Sequence, residues 1–390
     1  MRICYLADGR YIHARRWMSF FKNRGHDMHL VSFARLDAEH VTAVETLGIK
    51  VHGSIGPFHV KRWWQTLRDL RALRSLMKRE QIEILHAHYL GANAWYAALT
   101  GFHPLVLTVM GGGDVTGPDW QPRGARERLL TPYALRHADL ITSWSKVMAD
   151  VVKPYCRAGV AVETIHGGVD LNRFQPGPPA ASLYDKLRLH VGAKIIFSPR
   201  LMRPLSNITT IAAAADYVCK RIPDAILVFA APGEERDVKY ENEIKEILKA
   251  SGLADRARFV GAIPHQEIAD YHRLAAVTIS IPSTDGTPMT VLESMACGTP
   301  VVCGDVADYD REYFENGETV LMAKVGDPRS VGEALTTLLE DRALAGHLAN
   351  EARRRVVEYG SYEAQMSRME RLYQEVVNER PGEMPVNLTA

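Results

Sequence analysis

A repeated rhythm constrains this chain more than any other feature. Short apolar runs bounded by turn residues alternate with longer stretches of helical periodicity. The first series runs through Arg2–Ala7, Met28–Phe33, Ile49–His52, Glu83–His86, Pro104–Val109, Asp139–Thr142 and Val162–Ile165. The second runs through Lys194–Ser198, Ala225–Ala230, Ala257–Gly261, Val277–Ser280, the Pro-Val-Val at 300–302 and Val320–Met322. Runs that are apolar throughout predict strands buried on both faces, as in parallel sheets covered by helices. Strands alternating with helices predict a doubly wound α/β sheet, and the second series predicts a second one. A chain of 390 residues accommodates two such domains. Ligands of these sheets bind beyond the carboxyl ends of the strands, which directs attention to the loops there.

The richest of those loops lies in Ser280–Cys303, SIPSTDGTPMTVLESMACGTPVVC. A strand ends at Ser280, a polar turn carries Ser283 to Pro288, and a helix is predicted over Met289–Ala296 with Gly298 closing it. Pro288 is expected in the first helical turn. The N–H groups at such a helix tip, and its positive dipole end, favour an anionic or polyhydroxylated ligand. Asp285 stands at the mouth and Glu293 about two turns inside, with seven residues between them. Two carboxylates so spaced can hold two parts of an extended ligand, the outline of a sugar–nucleotide site. The plainer interpretation is an ordinary strand–turn–helix unit with solvated acids.

Composition places the chain among globular proteins, with 46% hydrophobic and 24% charged residues. The net charge of +1 is unevenly placed: residues 1–180 carry 23 Lys and Arg against 15 Asp and Glu, the remainder 24 against 31. A basic first half suits an anionic surface or acceptor, although solvated arginines are the commoner cause. Five scattered cysteines without a C-x-x-C predict a reducing compartment and no zinc site. Charges from Arg2 to Arg16 interrupt any apolar leader, so a cytoplasmic location is expected. Ile84–Gly113 lacks Asp, Glu, Lys and Arg, but its histidines, glycines and Pro104 predict strand, helix and strand rather than a membrane span.

Three further segments carry polar chemistry. His86 and His88 sit at strand spacing and face the same way, as a packed pair or as metal ligands. His13, Arg15 and Arg16 can meet an anionic acceptor or simply solvate a helix whose Trp17 and Phe20 enter the core. Lys61–Gln81 is a basic amphipathic helix that suits either an anionic bilayer, as a peripheral membrane contact, or the sheet.

The string D-G-T-P-x-x-x-x-E-x-M-A-x-G-x-P-V-V from Asp285 resembles the E-x7-E signature of family 4 glycosyltransferases, with Asp285 in place of the first Glu. The resemblance extends over essentially the whole chain. It implies a GT-B fold, an α/β architecture of two facing Rossmann-like domains with a cleft between them. The first is expected over residues 1–178, ending at the Pro176–Pro179 linker. The second is expected over 179–360, and a last helix in 361–390 returns to the first domain. The implied reaction is retaining transfer of a sugar from a nucleotide-diphosphate donor, a UDP-sugar first, to a glycan, lipid-linked or small-molecule acceptor hydroxyl. No metal or other cofactor is implied, and no nucleic acid.

Residue roles follow from the same resemblance. Arg200 matches the arginine of G-R-L-x-x-x-K-G, and Leu205 stands where the lysine is expected, so Arg203 is taken as its substitute, with Ser206 and Asn207 capping the next helix. Arg200, Arg203 and Asp285 are the expected catalytic groups. Glu293 takes the ribose, and Gly286, Thr287, Pro288, Met289 and Thr290 the sugar and phosphates. Val260 lies in the loop expected to meet the base, and Gly9 in the turn that approaches the donor. On the acceptor side stand His88, Arg15, and Gly112 and Asp114 of TVMGGGDV, where Met110 replaces a histidine. His166-Gly167 replaces a Pro-Asn before Val169-Asp170. A nucleotide-sugar-binding protein without catalysis and a sugar-nucleotide epimerase are the alternatives. An NAD dehydrogenase is disfavoured because neither opening strand leads into G-x-G-x-x-G.

Overall fold

A computed structural model describes residues 1–56, 58, 62–110, 115, 119–190, 192–230 and 237–378. The chain forms two compact units, Met1–Gly167 together with the chain from Gln365, and Gly168–Ala364. In the first, β1 (Arg2–Ala7), β2 (Asp27–Ser32), β3 (Lys50–Ser54), β4 (Ile84–His88), β5 (Leu105–Val109), β6 (Leu140–Ser143) and β7 (Ala161–Thr164) form one sheet. Its order is β3-β2-β1-β4-β5-β6-β7, and every pairing is parallel. In the second unit, β8 (Lys194–Ser198), β9 (Ala225–Ala230), β10 (Ala257–Gly261), β11 (Val277–Ser280), β12 (Val301–Gly304) and β13 (Leu321–Ala323) form a parallel sheet of order β10-β9-β8-β11-β12-β13. Each expected run is a strand, with ends shifted by no more than two residues.

Successive side chains of a strand face opposite sides, and the core of the second unit divides accordingly. Ile196, Leu227 and Phe229 enter one buried cluster, while Ile195, Phe197, Ile226 and Val228 enter the other. Both faces are therefore covered, which is why these strands carry no polar alternation. The strand order reverses between β1 and β4 in the first unit and between β8 and β11 in the second. Ligand crevices of open α/β sheets form at such switch points, outside the carboxyl ends of the strands.

Three expectations meet a different local structure. The units divide at Gly167, ahead of the proline run, because the following residues are tied into the second unit. Arg273 donates from Nε to Gln175 O (2.8 Å) and from Nη2 to Arg173 O (2.6 Å). The helix expected over Lys61–Gln81 spans Trp63–Arg79. Its Leu70, Leu73, Leu76 and Met77 are buried, whereas Trp63 (62% exposed), Trp64 (56%) and Leu67 (39%) are not. The apolar stripe thus serves the sheet only after its first turns. Pro288 is the N-cap of helix Met289–Ala296, in extended conformation, rather than part of the first turn. Among the described residues no helix is long and apolar enough to cross a membrane.

Candidate functional site

In the second unit the loops after β8 and β11 flank the switch point. After β8 the chain runs Pro199 to Arg203, makes the 3-10 turn Pro204–Ser206, and passes through Asn207 into helix Ile208–Arg221. Asn207 adopts a left-handed conformation (φ 51°), which asparagine tolerates better than most residues. Its side chain does not cap the helix as expected. Instead Nδ2 donates to Ile281 O (3.0 Å) and Ser283 Oγ (2.9 Å), while the Ser283 N–H donates to Leu205 O (2.9 Å). The two loops are laced together, and Leu205 contributes through its carbonyl.

That lacing sets the charged groups. Arg200 Nη2 donates to Asp285 Oδ2 at 2.6 Å, and both side chains are 16% exposed. A guanidinium has five N–H donors in a planar fork, so one bond to Asp285 leaves others for an anion. Arg203 has its Nε buried without a hydrogen-bond partner among the described residues. A buried donor left unpaired costs about 1–3 kcal/mol, which an anionic ligand removes. Helix Met289–Ala296 begins beside Asp285 with no side-chain cap, which leaves its tip N–H groups to other acceptors. Thr290 Oγ1 is buried and unpaired among the described residues, and Glu293, on the same helix, is 7% exposed. Thr287 and Met289 are also buried.

Sequence reasoning missed the loop after β12. Asp308, 6% exposed, accepts a hydrogen bond from Thr284 Oγ1, so it braces the residue next to Asp285. Tyr309 is fully buried against Phe314, and burial, followed by the charges of Cys303 and Asp285, raises its pKa far above the usual phenol range. The aspartates of Asp305-Val-Ala-Asp308-Tyr-Asp310 directly after a strand were the available signal. Val260 lies on the edge strand β10, two strands from β8, and packs on the buried cluster around Phe197.

The switch point of the first unit presents Asp8 and Gly9 after β1 and His88 and Tyr89 at the end of β4. A small pocket there is lined by Asp8, Tyr11, His13, His88, Tyr89 and Met110. A side chain at Gly9 would meet Leu30 at 2.9 Å and Leu36 at 3.0 Å, so packing alone accounts for that glycine. His88 is 1% exposed, edge-on to Trp17 and Tyr5, and its Nε2 is buried without a hydrogen-bond partner among the described residues. Burial, followed by the charge of nearby His13, pushes its pKa down to about 3, so the ring is neutral near pH 7. His86 differs: Nδ1 is bonded to Tyr373 OH (2.6 Å) and Nε2 to Thr108 Oγ1 (2.5 Å), so its nitrogens are spent on packing. Arg15 is half-buried on helix Ile12–Asn23, while Gly112 and Asp114 lie outside the described residues.

Residues 184–355 match the family model of glycosyl transferases group 1, and residues 2–145 that of the glycosyl transferase 4-like proteins. The chain is 25% identical over 320 residues to a D-inositol 3-phosphate glycosyltransferase of Thermobispora bispora, covering 78% of this chain and 73% of that one. It is 22% identical over 311 residues to an N-acetyl-alpha-D-glucosaminyl L-malate synthase of Bacillus anthracis, covering 79% and 78%. A crystallised glycosyltransferase of Rickettsia africae has the same fold, with a TM-score of 0.81 at 15% identity over 97% of this chain and 99% of that one. Anabaena HepE in complex with UDP and glucose superposes with a TM-score of 0.79 at 16% identity, covering 96% and 100%.

Proposed function

Since the chain belongs to the family 4 glycosyltransferases of GT-B fold, we propose that it moves a sugar from a nucleotide-diphosphate donor to an acceptor hydroxyl with retention of configuration. The observation that supports this best is the Arg200–Asp285 pair, which joins the loops after β8 and β11 at the switch point of the second unit. Arg200 and Arg203 hold the diphosphate. As the bond to the sugar breaks, negative charge grows on the leaving phosphate oxygen, and preorganised donors lower that barrier most. The departing oxygen then takes the proton of the acceptor hydroxyl, so no protein base is needed at that step. Two guanidiniums and a helix tip supply the positive potential, and no metal ion is required.

Asp285, oriented by its bond to Arg200, faces the sugar hydroxyls and stabilises the positive charge that develops on the ring. Gly286, Pro288, Thr290 and their neighbours Thr287 and Met289 line the sugar and phosphates, and Glu293 takes the ribose hydroxyls. Asn207 acts by lacing the two loops. Val260 approaches the base through its backbone. A UDP-sugar is the first donor to try, by analogy with the Anabaena protein. On the first unit, Gly9, Arg15, His88, Gly112 and Asp114 serve the substrates, the last four on the acceptor side.

The exposed Trp63 and Trp64 among Arg62, Arg68 and Arg71 suit an anionic bilayer, which favours a lipid-linked acceptor and work at the inner face of the membrane. Sedimentation with anionic and neutral vesicles separates this from a water-soluble acceptor. For the reaction, UDP-, GDP- and ADP-sugars are screened by thermal shift, since only a bound donor stabilises the fold. NMR of the product with the stabilising donor then reads the anomeric configuration. Failure of every donor to raise Tm overturns the assignment, and an inverted product overturns retention.

A further inference from the structure

A cluster away from both switch points carries chemistry that transfer does not use. His29 on β2 is fully buried, and its Nδ1 lies 2.8 Å from Nε2 of His52 on the neighbouring strand β3. The two rings are parallel within 7°, with centroids 5.1 Å apart. Glu80, which ends helix Trp63–Arg79, brings a carboxylate oxygen to within 4.8 Å of a ring nitrogen of each histidine. Behind His29, Nε2 faces Asp27 Oδ2 at 3.3 Å, and Asp27 accepts from Lys50 Nζ at 2.8 Å. Glu80 Oε1 accepts from Arg79 Nε at 2.9 Å.

We propose that His29, His52 and Glu80 form a binding site for one divalent transition-metal ion, zinc first, at the β3 edge of the first unit's sheet. Two imidazoles and a carboxylate are a ligand set for zinc or its near neighbours, with a fourth position for water. Asp27 stands where an outer carboxylate fixes a ligating histidine: its Oδ2 accepts a hydrogen bond from His29 Nε2–H, which leaves the Nδ1 lone pair facing His52. At present the gap between the nitrogens fits a shared proton. A tetrahedral ion with bonds of about 2.05 Å would widen it to about 3.3 Å and tilt the rings. His52 lies on the exposed edge strand and Glu80 in the turn leading to β4, so both can give. The cysteine spacing that argued against zinc does not bear on ligands drawn from three separate elements.

The site ties the edge strand β3 to β2 and to the end of the basic helix. Its test uses the full chain after chelator treatment, titrated with Co²⁺ followed by visible absorption and displaced with Zn²⁺. The expected result is one saturable equivalent with ligand-field bands of a four-coordinate site, and a higher Tm with Zn²⁺. His52→Ala and Glu80→Gln, both at half-buried positions, are each expected to weaken binding at least tenfold with an unchanged circular dichroism spectrum. Absence of the bands leaves only a shared proton between the rings and overturns the proposal. Wild-type affinity in both variants places the ion elsewhere and overturns it equally. If His52→Ala does not fold, Glu80→Gln decides alone.

Discussion

Arg200 and Arg203, the two cations proposed to hold the diphosphate, differ in their surroundings. Arg200 is held by Asp285, whereas Arg203 keeps a buried Nε without a hydrogen-bond partner among the described residues. Removing a charged hydrogen bond made in the transition state costs roughly 2–4 kcal/mol, or about 30- to 1,000-fold in kcat/KM. Arg200→Ala and Glu293→Ala are expected to fall in that range in a transfer assay, and wild-type turnover in either would remove it from the site. Arg203→Ala is expected to match them if it replaces the lysine at Leu205. An unchanged rate would leave Arg203 a structural residue.

At the scale of elements, the turn after His166 and the last helix carry the connections that matter. Gly168 has φ +64°, and a Cβ there would lie 2.4 Å from Tyr362 Cα. The clash is with backbone, so no rotamer relieves it. The strand-like contact it permits pairs Val169 with the 360–362 segment, through Val169 N–H to Gly360 O (2.7 Å) and Tyr362 N–H to Val169 O (2.9 Å). Gly168→Ala is therefore expected to lose more than about 2 kcal/mol of stability in urea unfolding, and a loss under about 0.5 would contradict the geometry. The helix Tyr362–Asn378 is anchored in the first unit by Glu370, bonded to His26 (2.7 Å) and Arg24 (2.8 Å). Tyr373 OH joins Tyr5 OH (2.6 Å) and His86 Nδ1 (2.6 Å), and the chain continues to Thr108 and Thr142. Tyr373→Phe would remove one hydrogen bond from each of two buried polar groups, Tyr5 OH and His86 Nδ1, at once. A loss of about 2–3 kcal/mol is expected by the same measurement, with the helix still formed.

At the scale of the whole molecule, four buried histidines are expected to make stability fall in acid. Burial pushes His88 and His272 down to about 3 and His166 to about 4, and holds His86 well below its usual range. In the unfolded chain each titrates near 6.5. Between those values the unfolded state binds more protons, so stability is full above pH 6.5 and is lost as pH falls toward 3. Each group contributes about 1.4 kcal/mol per pH unit inside that window. The urea midpoint is expected to drop steadily from pH 7 to pH 4.5, and a flat profile would mean that these rings are solvated. Much of the molecule was legible without coordinates. Uninterrupted apolar runs marked interior strands such as β5 and β9, because a strand buried on both faces has no room for polar alternation. Helix Met289–Ala296 and its closing Gly298 were also in the string itself, since caps and periodicity are local. Strand order, by contrast, depends on which apolar runs pair, and nothing in one run names its neighbour. Only the β8–β11 pairing brings Arg200 to Asp285, 85 positions apart in sequence. Asn207 as a lace between loops, Asp308 behind Thr284, and the meeting of His29, His52 and Glu80 were likewise decided by packing. Such contacts join side chains from separate elements, and local sequence carries no signal for them.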